Sequence, residues 1–329
     1  MQLVSLPTSK PWIESGNIMS SANNTPSDAS LADRLFAFIL YLLPHHLLSQ
    51  LMHWLTRCEW VPLKNLLIRG IIKLYKVDMA LAEQPDPEQY PTFNAFFTRA
   101  LKPDVRPISN EASTIASPVD GAVSQAGDIA DGRIFQAKGQ DYSLEELLGG
   151  DAEWTERFSD GKFATIYLSP RDYHRIHMPL AGELKRMIHI PGRLFSVSPS
   201  TTRAVPRLFS RNERVVNLFE TDHGPMAVIM VGAIFVASMD TVWAGTVAPI
   251  SQRINQWDYQ QRSSLPVNLT KGDEMGRFNM GSTVILLFGK DAIEWSEGFL
   301  ADAKVVMGEQ IATISPEQMP EAPDINEQD

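Results

Sequence analysis

Between residues 111 and 314 the apolar residues fall into short runs closed by Gly, Pro and Asp, and this punctuation restricts the fold more than any other feature of the chain. Residues 162–168 (KFATIYL) form a strand-like run ended by Ser169-Pro170. Residues 226–237 are a long apolar stretch interrupted by Gly232, and residues 283–288 are β-branched and apolar ahead of Gly289-Lys290-Asp291. One helical insert is expected at residues 143–148. With 329 residues and 44% hydrophobic content, the chain can bury a sizeable core.

The rest of the chain reads differently. Residues 1–29 mix Ser, Asn and Pro, lack the pattern of a signal peptide, and are expected to be a flexible leader. Residues 30–83 read as helical, with Asp28 or Ser30 as the cap before Leu31. Residues 84–314 are expected to form a β-rich core, whose Pro-rich opening stretch (84–110) is anchored by Phe93, Phe96 and Phe97. Residues 315–329 hold five acidic residues and no basic one, and are expected to be a disordered tail. The fold class is α+β, with amphipathic helices grouped first and a β-rich catalytic core after them.

The net charge of −10, half of it on that tail, argues against nucleic acid as a partner. A single cysteine, Cys58, excludes an internal disulfide and any multi-cysteine metal site, and its apolar surroundings suggest a buried thiol. The longest apolar run, residues 35–43, stops at Pro44, well short of the about 20 residues that span a bilayer. On a helical wheel of residues 64–77, Arg69, Lys73 and Lys76 share one face while Leu67, Ile71 and Leu74 lie opposite. With Phe36, Phe38, Trp54 and Trp60 upstream, this suits a helix lying in the interface of an anionic membrane. It suits equally a helical subdomain packed on the core with its charges solvated.

Three segments carry the chemistry: Ser117-Pro118-Val119-Asp120-Gly121, the stretch from Ser169 to Pro179 containing His174 and His177, and the stretch from Gly272 to Thr283 containing Gly281-Ser282. Singly each has a structural explanation, as a turn, a loop cap or half a metal site whose remaining ligands no His or Cys cluster supplies. Together they contain the parts of an Asp–His–Ser relay. No G-x-S-x-G elbow, phosphate loop or G-x-G-x-x-G fingerprint is present.

The order of short blocks along the chain then resembles that of bacterial phosphatidylserine decarboxylase proenzymes. The blocks are Phe96-Phe97-Thr98-Arg99, Leu101-Lys102-Pro103, the Asp120 turn, Tyr173-His174-Arg175-Ile176-His177-Met178-Pro179 and Pro191-Gly192-Arg193-Leu194-Phe195-Ser196-Val197. Arg211-Asn212-Glu213-Arg214, Val242-Trp243-Ala244-Gly245, residues 271–278 and Gly281-Ser282-Thr283 complete the series, and Met280 stands where the family usually has Leu. The resemblance implies self-cleavage between Gly281 and Ser282 into a β chain (1–281) and an associated α chain (282–329), with Ser282 becoming a covalent pyruvoyl cofactor. It implies Ser282 as nucleophile, His177 as general base oriented by Asp120, and His174 in the decarboxylation step. It further implies that the pyruvoyl carbonyl condenses with the amine of phosphatidylserine in an anionic membrane, giving phosphatidylethanolamine. A homodimer, peripheral on the cytoplasmic face of the bacterial cell membrane and without a metal, completes the expectation. Rival readings are a serine hydrolase that uses Asp120, His177 and Ser282 without cutting itself, a pyruvoyl decarboxylase of a soluble amino acid, and an inactive membrane-binding scaffold.

Overall fold

The structure, a computed structural model, describes residues 29–109, 111–137, 139–234, 238–248, 252–260, 266–280 and 282–316. The leader before residue 29 and the tail beyond residue 316 lie outside the described residues. Ser30 caps helix α1 (Leu31–Leu42): its hydroxyl accepts the Asp33 N–H, and the Asp33 carboxylate accepts the Ser30 N–H. Pro44 ends this helix and leads into α2 (His45–Thr56), and Pro62 sits in the first turn of α3 (Val61–Tyr75). A short helix, α4 (Phe93–Phe97), buries Phe93, Phe96 and Phe97, the three anchors expected of the Pro-rich stretch.

The wheel of α3 divides differently from the simple apolar-against-basic split. Ile68 is fully buried, and Leu67 and Ile71 pack beside it against Phe93, Phe96 and Phe97. Leu66 and Leu74 instead face outward with Arg69 and Lys73. The apolar face is thus spent on the protein core, and the exposed face is basic with two leucines. Most outward apolar surface lies on α1 and α2, where Leu31, Leu35, Phe38, Leu42, Leu51 and Trp54 are all more than half exposed. Of nineteen exposed large apolar side chains among the described residues, fourteen fall between Leu31 and Leu74, a concentration that marks an interaction surface. No single helix among the described residues is long and apolar enough to cross a membrane; α1 and residues 47–56 reach that length only together, and they meet at 86°.

The strand runs assemble into a nine-stranded antiparallel sheet. Its order is Asn255–Asp258, Gly182–Ile190, Arg214–Thr221, Gly224–Val231, Ser282–Phe288, Lys162–Leu168, Gly121–Asp128 and Lys304–Val305, with Asn268–Leu269 also paired to Gly182–Ile190. Strand Gly224–Val231 stops at Val231, just before the glycine that interrupts the apolar run, and residues 235–237 lie outside the described residues. A four-stranded sheet (Gly245–Ala248, Met239–Thr241, Glu274–Phe278, Arg175–His177) packs on the large one, with Trp243 edge-on to Phe219 and its indole N–H against the Met187 sulfur. Three strands (Thr114–Ala116, Gln310–Ile314, Ile293–Trp295) and the hairpin Arg133–Ala137/Gln140–Ser143 complete the β-structure.

The expected insert is a helix at Leu144–Leu147, capped by Ser143. Three further short helices, Ala152–Phe158, Pro199–Ala204 and Leu208–Arg211, fall within the region read as strands and are too short to show a helical period. Cys58 is half-buried rather than sealed in a core. In the centre of the large sheet, Ile285 pairs with Ile229 on one side and Thr165 on the other, and is wholly buried. Ile285→Ala is expected to lower unfolding stability by about 2–5 kcal/mol, read as a fall in the urea midpoint with an unchanged slope.

Candidate active site

Strand pairing brings the three chemical segments together. Glu274 lies opposite His177, and Arg277 opposite Arg175, so the histidine segment runs alongside the segment that leads to Ser282. The His177 N–H donates to the Pro118 carbonyl at 2.9 Å, which places the Asp120 turn against the same strand. Gly276 permits this packing, because a Cβ there would lie 2.4 Å from the Asp240 carbonyl oxygen.

Asp120 does not hydrogen-bond to His177. Its Oδ1 accepts Arg106 Nε at 2.9 Å and the Met307 N–H at 2.8 Å, and its Oδ2 accepts Arg106 Nη2 at 2.5 Å. The expected direct orientation of the histidine by this carboxylate is therefore replaced by a largely buried ion pair with Arg106, a partner sequence reading missed. His177 is instead oriented by backbone: Nδ1 donates to the Gly272 carbonyl at 2.8 Å, which leaves Nε2 to accept the Tyr173 hydroxyl at 3.1 Å. Burial pushes the His177 pKa down, against the smaller upward pull of the Gly272 hydrogen bond and of the Glu274 and Asp120 charges. Burial likewise raises the Tyr173 pKa to about 12, so the phenol keeps the proton it donates.

His174 is fully buried, its ring centroid 4.0 Å from that of Phe97. Its Nδ1 donates to the Asp172 carbonyl at 2.8 Å, and Nε2 has no hydrogen-bond partner among the described residues. Burial lowers its pKa to about 3, so the ring is neutral and holds a vacant lone pair. The His174 carbonyl accepts the Phe278 N–H at 3.1 Å, so it is this histidine whose backbone adjoins the segment leading to Ser282.

That segment is tightly held. Asn279 is buried; its N–H donates to the Ser238 carbonyl at 3.0 Å, its Nδ2 to Ser238 Oγ at 2.6 Å, and its Oδ1 accepts Asn94 Nδ2 at 3.0 Å. Met280 has φ 127°, a region that side-chain-bearing residues rarely occupy and that costs on the order of 1–3 kcal/mol. Its side chain packs on the cluster of Ile68, Phe93, Phe96 and Phe97. Gly281 lies outside the described residues, and Ser282 opens the central strand opposite Leu168. The next residue, Thr283, is fully buried, and its Oγ1 has no partner among the described residues.

Two more sequence blocks close around this end of the sheet. Asn212 Nδ2 donates to the carbonyls of Phe195 and Gly232, both at 2.9 Å, and its Oδ1 accepts the Phe195 N–H. Gly192 lets the 191–197 loop approach residues 211–213, since a Cβ would lie 2.4 Å from the Arg211 carbonyl oxygen. Beside them, His189 Nε2 and Glu213 Oε1 form a buried contact at 2.8 Å. No short-range pattern announces that pair, which joins the end of one strand to the approach of the next.

Comparison with known proteins agrees with this architecture. The family model described as phosphatidylserine decarboxylase matches residues 93–313, and a second model, PSD, matches residues 35–76. The chain is 54% identical over 280 residues to the phosphatidylserine decarboxylase proenzyme of Bordetella pertussis, covering 85% of this chain and 94% of that protein. It is 53% identical over 285 residues to the proenzyme of Azotobacter vinelandii (87% and 100% covered) and 53% identical over 283 residues to that of Pseudomonas aeruginosa (86% and 98%). The chain belongs to the phosphatidylserine decarboxylase family.

Proteins of this family carry a covalent pyruvoyl group made from a serine. The residues present fit such a group: among the described residues His174 Nε2 and Thr283 Oγ1 are buried polar atoms without partners, Thr283 directly after the serine and His174 bonded through its carbonyl to Phe278 ahead of it. Because the folded His174 pKa lies far below its ordinary value, the unfolded chain binds more protons between about pH 6.5 and 3. The stability this gives is present above that window and is lost as pH falls through it. His174→Gln is expected to flatten the pH dependence of unfolding between pH 6.5 and 4, measured by urea denaturation.

Proposed function

We propose that this chain is a proenzyme that cuts itself between Gly281 and Ser282 and then decarboxylates phosphatidylserine to phosphatidylethanolamine. The observation that carries the reading is its family membership, joined to a strained, anchored segment directly ahead of Ser282. In the proposed maturation, Ser282 Oγ loses its proton to a base and attacks the Gly281 carbonyl; the C–O bond forms as the C–N bond breaks, leaving an ester. Removal of the Ser282 α-proton then expels the Gly281 carboxylate, and water replaces the nitrogen of the remaining dehydroalanine as ammonia.

His177 is the proposed base. Burial keeps it neutral at physiological pH, the Gly272 carbonyl fixes its ring, and the Asp120 and Glu274 charges favour proton uptake from a distance. Asp120 thus acts through the field and through Arg106 rather than by contact. His174 is proposed for the decarboxylation step, where its unprotonated Nε2 can take or guide a proton. The pyruvoyl group supplies an electron-withdrawing carbonyl that stabilises the charge left when CO₂ departs.

The substrate is a bilayer lipid, so the enzyme must work at a surface. The outward apolar side chains of α1 and α2, with the basic outer face of α3, support docking on an anionic membrane. A position on the cytoplasmic face of the bacterial cell membrane, and a homodimeric state, rest on the family resemblance. Exchanging Phe38 and Trp54 together for Ser is expected to weaken binding to phosphatidylserine-containing vesicles about tenfold or more in a flotation assay. Unchanged binding would remove α1 and α2 from the docking surface.

Intact-mass measurement tests the maturation. The wild-type chain should give a β chain of 281 residues and a carbonyl-bearing α chain of 48 residues (329 − 281), while Ser282→Ala should remain whole. An uncut, folded wild-type chain would exclude the pyruvoyl reading.

A further inference from the structure

An arginine from the N-terminal helices reaches the cleavage segment. Arg57 caps the C-terminal end of α2, and its Nη1 donates to His53 Nδ1 at 3.0 Å. Its Nη2 donates to Ser238 Oγ at 3.3 Å, and that same oxygen accepts Asn279 Nδ2 at 2.6 Å. On the far side, Asn279 Oδ1 accepts Asn94 Nδ2 from α4 at 3.0 Å. An unbroken chain of side-chain hydrogen bonds therefore runs from α2 through Ser238 and Asn279 to α4. Met280 is gripped by the same region, its side chain against Ile68 of α3 and the phenylalanines of α4, while its backbone is held at φ 127°. A backbone in that conformation relaxes unless its surroundings hold it on both sides.

We propose that Arg57 is a positioning residue for self-cleavage: through Ser238 it fixes the Asn279 carboxamide, and with it the strained backbone that presents the cleavage point. The inference rests on the self-cleavage reading and adds that the helices carrying the outward apolar surface also set the rate of maturation. Both donors converge on the single Ser238 oxygen, whose two lone pairs accept them, so the hydroxyl oxygen is held between the guanidinium and the carboxamide. Half-exposed at a helix end, Arg57 can be altered without opening the core.

The test follows appearance of the α chain by mass spectrometry in freshly refolded full-length protein, for wild type, Arg57→Lys, Arg57→Gln and Ser238→Ala, with melting temperatures measured alongside. Displacement of a reacting segment is expected to slow Arg57→Gln and Ser238→Ala about tenfold or more, with Arg57→Lys within about threefold of wild type. Processing of Arg57→Gln at the wild-type rate overturns the proposal, as does an Arg57→Lys variant as slow as Arg57→Gln. If Arg57→Gln melts too low to assay, Ser238→Ala decides, and its processing at the wild-type rate overturns the proposal equally. A wild-type chain that stays whole sinks the self-cleavage reading itself, which separates that failure from this one.

Discussion

The double ladder around the Ser282–Phe288 strand governs what the molecule can do. Residues 283–288 are paired to Lys162–Leu168 on one edge and to Gly224–Val231 on the other, and residues 283–288 are all buried. A cut immediately before this strand leaves its hydrogen bonds and its apolar burial intact, so the short C-terminal piece has no route out of the sheet. The proposed cleavage is compatible with cohesion because the strand starts at Ser282 instead of crossing that point. The same placement puts residue 282 at the end of its strand, next to Thr283 opposite Val231, and Asn212 ties the 191–197 loop to the neighbouring Gly232.

Two histidines three residues apart are given different states by their surroundings. Both are kept neutral by burial, yet His177 has each ring nitrogen engaged, while His174 Nε2 has no partner among the described residues. The difference arises because His177 ends the Arg175–His177 strand opposite Glu274, whereas His174 lies in the loop before it, against Phe97. Asp120 illustrates the complementary rule. A nearby guanidinium competes successfully for a buried carboxylate, because a bidentate pair with Arg106 satisfies more of its lone pairs than one imidazole N–H could.

The N-terminal helices serve two surfaces at once. Their inner faces anchor the fold through contacts such as Tyr41 edge-on to Phe195 at 4.8 Å, the Leu194 N–H donated to His45 Nδ1, and the Asp33–Arg203 ion pair. Their outer faces leave aromatic and aliphatic side chains uncovered, an arrangement disfavoured in water and suited to a lipid interface. This outward apolar surface is joined to the 191–212 region, since Arg211 lies over the rings of both Tyr41 and Phe195.

What the sequence by itself determined was whatever depends on near neighbours. The Ser30 cap, the strand over residues 162–168, the break at Gly232 and the helix after Ser143 follow from local periodicity, capping and turn chemistry. The order of blocks also identified the family, and the histidine and serine segments did converge with the Asp120 turn. Tertiary structure alone decided which face of α3 turned inward, because Leu67 and Leu74 are equally apolar and only the position of Phe93, Phe96 and Phe97 distinguishes them. It decided that Asp120 bonds to Arg106, that His174 Nδ1 bonds to the Asp172 carbonyl, and that Arg57 meets Ser238 across 181 residues of chain. Such contacts leave no period or spacing in the sequence, since they arise only when distant strands and helices are brought into register by the packing of the whole.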